Sequence, residues 1–126
     1  MPFDDSGDIS AELKSFIRRQ IHSITLLDVL FHLKKHDLRG WTPEEISLEM
    51  RSNPGFARSQ LEDLVSIGVV AREANRYRYR SSEHSPLIDK LEVLYHSRRS
   101  MLTNYIYSQP IDSIRDFANA FKIKKD

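Results

Sequence analysis

Cysteine is absent from the 126 residues, which removes disulfides, thiolate metal sites and a thiol nucleophile together. Glycine is scarce at four residues, and none of them forms a phosphate-cradling loop. No Ser/His/Asp grouping falls on recognisable turns. Catalysis therefore finds no support, and neither an enzyme nor a cofactor is expected. No apolar run approaches the ~20 residues that span a bilayer. The N-terminal segment carries Asp4, Asp5 and Asp8 where a signal peptide would be basic. A cytoplasmic chain without a membrane partner is the expectation. Excess charge is lacking too: 19 Lys and Arg against 18 Asp and Glu leave +1, so any electrostatic footprint has to be local.

What is present fits one domain with one core. Hydrophobic content of 40% and charged content of 29% are ordinary for a globular protein. Residues 1–9 read as a flexible, polar start. Leu13, Phe16, Ile17 and Ile21 share one face of a helix over about 10–22. Ser23 can cap a second helix reaching about Asp37. Its apolar positions, from Leu26 to Leu33 with Leu38, fill more than half the circumference, so it should be central. Asp28, His32 and His36 stand at i, i+4 and i+8 on its polar strip. That spacing can hold a metal, but without cysteines it reads as a solvated face, and no metal is expected.

Trp41-Thr42-Pro43-Glu44-Glu45-Ile46 is an unusually complete helix start. Thr42 is the N-cap, Pro43 takes N1, Glu45 closes a capping box, and Trp41 and Ile46 stand at staple positions. Asn53 and Pro54 cap the next helix, where Ala57, Leu61, Leu64 and Val65 share a face until Gly68 ends it. Val69 to Arg80 then reads as a hairpin turning at Ala74-Asn75. That turn sets Val70 opposite Tyr79, Arg72 opposite Tyr77 and Glu73 opposite Arg76, with Arg76, Arg78 and Arg80 facing solvent. A single helix is expected over 86–107, and a short last one over 110–121, before a Lys122-Ile123-Lys124-Lys125 tail.

Helix, short capped helix, turn, third helix, glycine and hairpin resemble the winged helix-turn-helix superfamily, most of all small bacterial regulators of the MarR, ArsR and PadR kind. Thr42 to Ile46, Leu61 to Val70 and Tyr77-Arg78-Tyr79 carry the resemblance. It implies a mainly α fold with a small β-wing, a winged helix-turn-helix over 10–84 and helical extensions at both ends, the C-terminal one over 85–126. It also implies that the helix over 54–67 enters the major groove of double-stranded DNA while the 69–80 wing rests on phosphates. Arg58, Ser59 and Gln60 would then read bases, and Arg72, Arg76, Arg78 and Arg80 would hold the backbone. The acidic Glu62-Asp63 pair departs from a typical reading helix.

The arginines of the hairpin could instead protect a sheet edge from aggregation. Leu87, Leu91, Leu94, Tyr95, Leu102 and Tyr105 form a stripe on the helix over 86–107. Its apolar area is expected to build a homodimer rather than fold back. Arg98, within that stripe, either takes an acidic partner or lays its stem on apolar surface. The expected function is thus a dimeric DNA-binding transcription regulator. The main alternative is a winged helix that binds protein and not DNA, suggested by the near-zero charge, Glu62-Asp63 and an exposed Phe56. A ligand- or metal-responsive sensor, with an unidentified protein or small-molecule effector, is a third reading.

Overall fold

The computed structural model describes residues 9–108. Of the expected flexible start over 1–9, residues 1–8 lie outside them, as does the helix over 110–121, while Ile9 is described and buried in the core. The described elements run α1 (Ala11–Gln20), α2 (Ile24–Lys35), α3 (Pro43–Met50), α4 (Pro54–Ile67), β1 (Val70–Glu73), β2 (Arg76–Tyr79), α5 (Ser85–Ser97) and α6 (Arg99–Tyr107). The architecture is mainly helical with one two-stranded antiparallel sheet. Among the described residues no helix is long and apolar enough to cross a membrane.

Local chemistry fixes most boundaries. Ser10 and Ser23 accept hydrogen bonds from the amides of Leu13 and Leu26, each 3.2 Å, at the starts of α1 and α2. In α3 the capping box is closed both ways: the Glu45 amide donates to Thr42 Oγ1 at 3.1 Å, and the Thr42 amide to Glu45 Oε1 at 3.0 Å. Asn53 Oδ1 accepts from the Phe56 amide at 2.9 Å. Gly68, at φ 95°, ends α4 in the left-handed region that glycine enters freely. The hairpin register is Val70–Tyr79, Ala71–Arg78, Arg72–Tyr77 and Glu73–Arg76.

One apolar cluster runs from Ile9 to Ile106 and holds all six helices together. Leu27, Leu30 and Leu33 of α2 are wholly buried in it, as the breadth of that helix's apolar surface requires. α2 stops at Lys35, two residues short of the expected end. Leu38 accordingly leaves the helix and stands 91% exposed in the following turn.

One expectation for the C-terminal half is corrected. The helix over 86–107 is two helices, broken at Arg98, whose φ −138° and ψ 49° are not helical. The break lets Arg99 reach Asp28 at 3.0 Å beside the Tyr95 hydroxyl, which donates to the same carboxylate. It also turns α6 inward. The stripe assigned to a subunit interface packs against the chain's own core. Leu91, Leu94 and Leu102 are buried, while Leu87, Tyr95 and Tyr105 pack partly buried against the same core. Lys34 seals the α2–α5 seam on Glu92 at 2.7 Å, and the Tyr107 hydroxyl accepts from the Ile24 amide at 3.0 Å.

Candidate nucleic-acid interface

The candidate surface is built on α4, the β1–β2 hairpin and the turn between α2 and α3. The chain enters α3 through Trp41, which exchanges two 2.8 Å backbone hydrogen bonds with Tyr77 and so extends the outer edge of β2. Alternation along β2 then buries Tyr77, half-buries Tyr79 and leaves Arg76, Arg78 and Arg80 exposed.

Those arginines are held rather than loose. Arg78 donates through Nε to the Asp37 carbonyl at 2.7 Å, which leaves its two terminal nitrogens without a hydrogen bond among the described residues. Arg76 donates to the Gly40 carbonyl at 3.1 Å and lies 3.7 Å from Glu45. Gly40 is required for that approach, because a Cβ there would meet Arg76 Cβ at 2.9 Å. Arg39, from the same turn, stacks on Trp41 at 3.6 Å and pairs with Glu45 at 3.0 Å. The Thr42 amide first, and Arg39 next, hold the Glu45 carboxyl below the usual carboxylate range. Three guanidinium groups thus converge on residues 37–45. Arg39 is the member that sequence reasoning missed; a long turn followed by Trp was its only signal.

The other side of the hairpin faces α4 and spends its charge internally. Arg72 donates to Glu62 at 3.1 Å and to the Ala74 carbonyl at 3.0 Å. The buried Tyr77 hydroxyl also donates to Glu62, and burial first, then that bond, raises the Tyr77 pKa. Glu62 is therefore paired within the fold, and Arg72 is not a free backbone contact. Arg58 reaches Asn75 at the hairpin tip, 3.0 Å away.

One expected base reader is corrected outright. Gln60 is only 5% exposed and donates to Thr25 Oγ1 at 3.0 Å, so it ties α4 to α2 instead of reaching outward. It stands about 40° round the helix from Leu64 and about 60° from Ala57, near enough to the core stripe to be drawn in. Ser59 remains exposed, and Phe56 is 47% exposed. Arg80 makes no side-chain hydrogen bond among the described residues.

The Asp28, His32, His36 series does not assemble a metal site, and no group suited to one occurs among the described residues. Asp28 is taken by Tyr95 and Arg99. His32 lies edge-on to Trp41 at 4.6 Å and against His36 at 4.7 Å. Comparison with protein-family models, with curated proteins and with solved structures gave no match in any of the three.

Proposed function

We propose that the chain is a DNA-binding module of the winged helix-turn-helix type that acts in transcription regulation. The outer face of α4 would enter the major groove, with the hairpin on an adjacent phosphate strand. The observation that carries this reading is the hairpin itself. It has four arginines against one acidic residue, Glu73, and Arg76 and Arg78 are each fixed by a backbone carbonyl with donors left to spare. An immobilised guanidinium fork loses less side-chain entropy on meeting a phosphate than a free one. The internal pairing of Glu62 removes one of the two charges on α4 that argued against DNA.

Ser59 and Arg58 are the base-reading candidates that remain, and Arg76, Arg78 and Arg80 the phosphate contacts. Three phosphates per chain correspond to a log–log salt slope of about −3. Fluorescence anisotropy of duplex DNA across a salt series tests this. Arg78→Glu should weaken binding at least about tenfold at low salt and make the slope shallower by about one. A wild-type chain indifferent to duplex DNA at low salt would overturn the proposal.

A second reading has an observation of its own. Gln60 is buried, Arg72 is paired, and Phe56 and Leu48 are exposed, which suits a protein-binding winged helix. Under that reading Arg78→Glu leaves a protein complex intact and no DNA is bound.

A further inference from the structure

α4 has two flanks, and only one of them is the hairpin. Taken at 100° per residue, Arg58 and Glu62 lie on one side of its outer face, and these are the residues that meet Asn75 and Arg72 of the hairpin. Ser59 and Asp63 lie roughly 100° further round, with Gly55 and Ser66 between the two sides. On that second side runs a groove of about 290 Å³ between α4 and the junction of α1 with α2. Arg19, Gln20, His22 and Ser23 form its far wall, and Phe56, Ser59, Asp63 and Ser66 follow it along α4. Leu26 and Ile67 are its apolar floor. Arg19 is exposed and makes no side-chain hydrogen bond or ion pair among the described residues. His22 donates through Nε2 to the Arg18 carbonyl, 3.1 Å away, which fixes its ring beside the groove.

We propose that this groove is the seat of the second sugar-phosphate strand, with Arg19 as its phosphate contact. The inference rests on the proposed insertion of α4 into the major groove. That groove is about 12 Å wide and bounded by one phosphate strand on each side. A helix lying in it needs a cation on both flanks; the hairpin supplies one and the end of α1 the other. The hydroxyls of Ser23, Ser59 and Ser66 are short donors suited to phosphate oxygens, and the exposed edge of Phe56 suits the apolar face of a sugar. Asp63 is the single carboxylate on the groove, and it places the phosphate toward the Arg19 wall. The leading helix thereby becomes part of the binding surface.

The experiment is anisotropy with a mixed-sequence duplex of about 20 base pairs over a salt series. It compares the wild-type chain with Arg19→Gln, Arg78→Gln and Lys90→Gln. Lys90 is an exposed cation of α5 outside both flanks, and it controls for charge alone. Arg19→Gln should make the slope shallower by about 0.9, as Arg78→Gln does, and a chain carrying both Arg19→Gln and Arg78→Gln by about twice that. Lys90→Gln should leave the slope as in wild type. If Arg78→Gln changes the slope and Arg19→Gln superimposes on wild type, the second flank is wrong and the DNA reading stands. The second flank is equally wrong if Lys90→Gln acts as strongly as Arg19→Gln. If the wild-type chain does not bind, the DNA reading fails and takes the inference with it. Arg19 is exposed near the end of α1, so the variant keeps the fold, which far-ultraviolet dichroism verifies.

Discussion

His32 carries a pH dependence of its own. Burial first, and the neighbouring His36 next, hold its pKa below the ordinary histidine value of 6.5. Its Nε2 is enclosed without a hydrogen-bond partner among the described residues. A depressed folded pKa means that the unfolded chain takes up the proton first as the medium is acidified. The stability supplied by the neutral ring is therefore present above the ordinary value and is lost as pH falls toward the folded one. Urea midpoints should decline as pH falls below the ordinary histidine value of 6.5. In His32→Leu that part of the decline should flatten. An equal decline in the variant would place the acid sensitivity elsewhere. Nothing in the spacing of Asp28, His32 and His36 foretold this. Spacing shows that three side chains share a strip, but Trp41 arrives from the following turn to cover one of them. Gln60 was missed for the same reason, since its partner Thr25 lies 35 residues away.

Elements held by short-range chemistry were legible, down to the pairing of individual strand residues. The capping box of α3, the Asn53 cap, the Gly68 stop and the hairpin register all depend on residues within a few positions of one another. The break at Arg98 was not legible, because neither proline nor glycine marks it. It is fixed by Asp28, which gathers Tyr95 and Arg99 from 67 and 71 residues further along the chain. The hairpin also contains a local misfit. Ala74 sits at φ 55° as the first of the two turn residues, where a side chain is strained. Ala74→Gly should relieve that strain, at a smaller loss from the greater freedom of the unfolded chain, for a net gain of about 0.5–1 kcal/mol. Chemical denaturation measures it directly. A variant less stable than wild type would mean that the Ala74 methyl group contributes packing that outweighs the strain.

The whole molecule differs from its sequence reading in where its core ends. Ile88, Leu91 and Leu102 are wholly buried in the cluster that contains Leu27, Leu61 and Tyr77. α5 and α6 thus share one core with α1 and α2, whereas the stripe alone was assigned to a second subunit. The amphipathic stripe alone could not distinguish these outcomes, because an apolar face looks the same in sequence whichever surface covers it. The consequence for unfolding is specific. Trp41, the only tryptophan, reports the joint between α2 and α3, whereas far-ultraviolet dichroism reports all the helices. If one core holds them, the two signals trace a single transition whose midpoint does not move with protein concentration. A separate dimerisation unit built on α5 and α6 would instead give a second, concentration-dependent step in the dichroism that Trp41 does not follow. Leu91→Ala, removing a fully buried side chain from α5, should cost about 2–5 kcal/mol. That loss should appear in the Trp41 signal as fully as in the helical one, because the joint it monitors and the helix it weakens share the same packing.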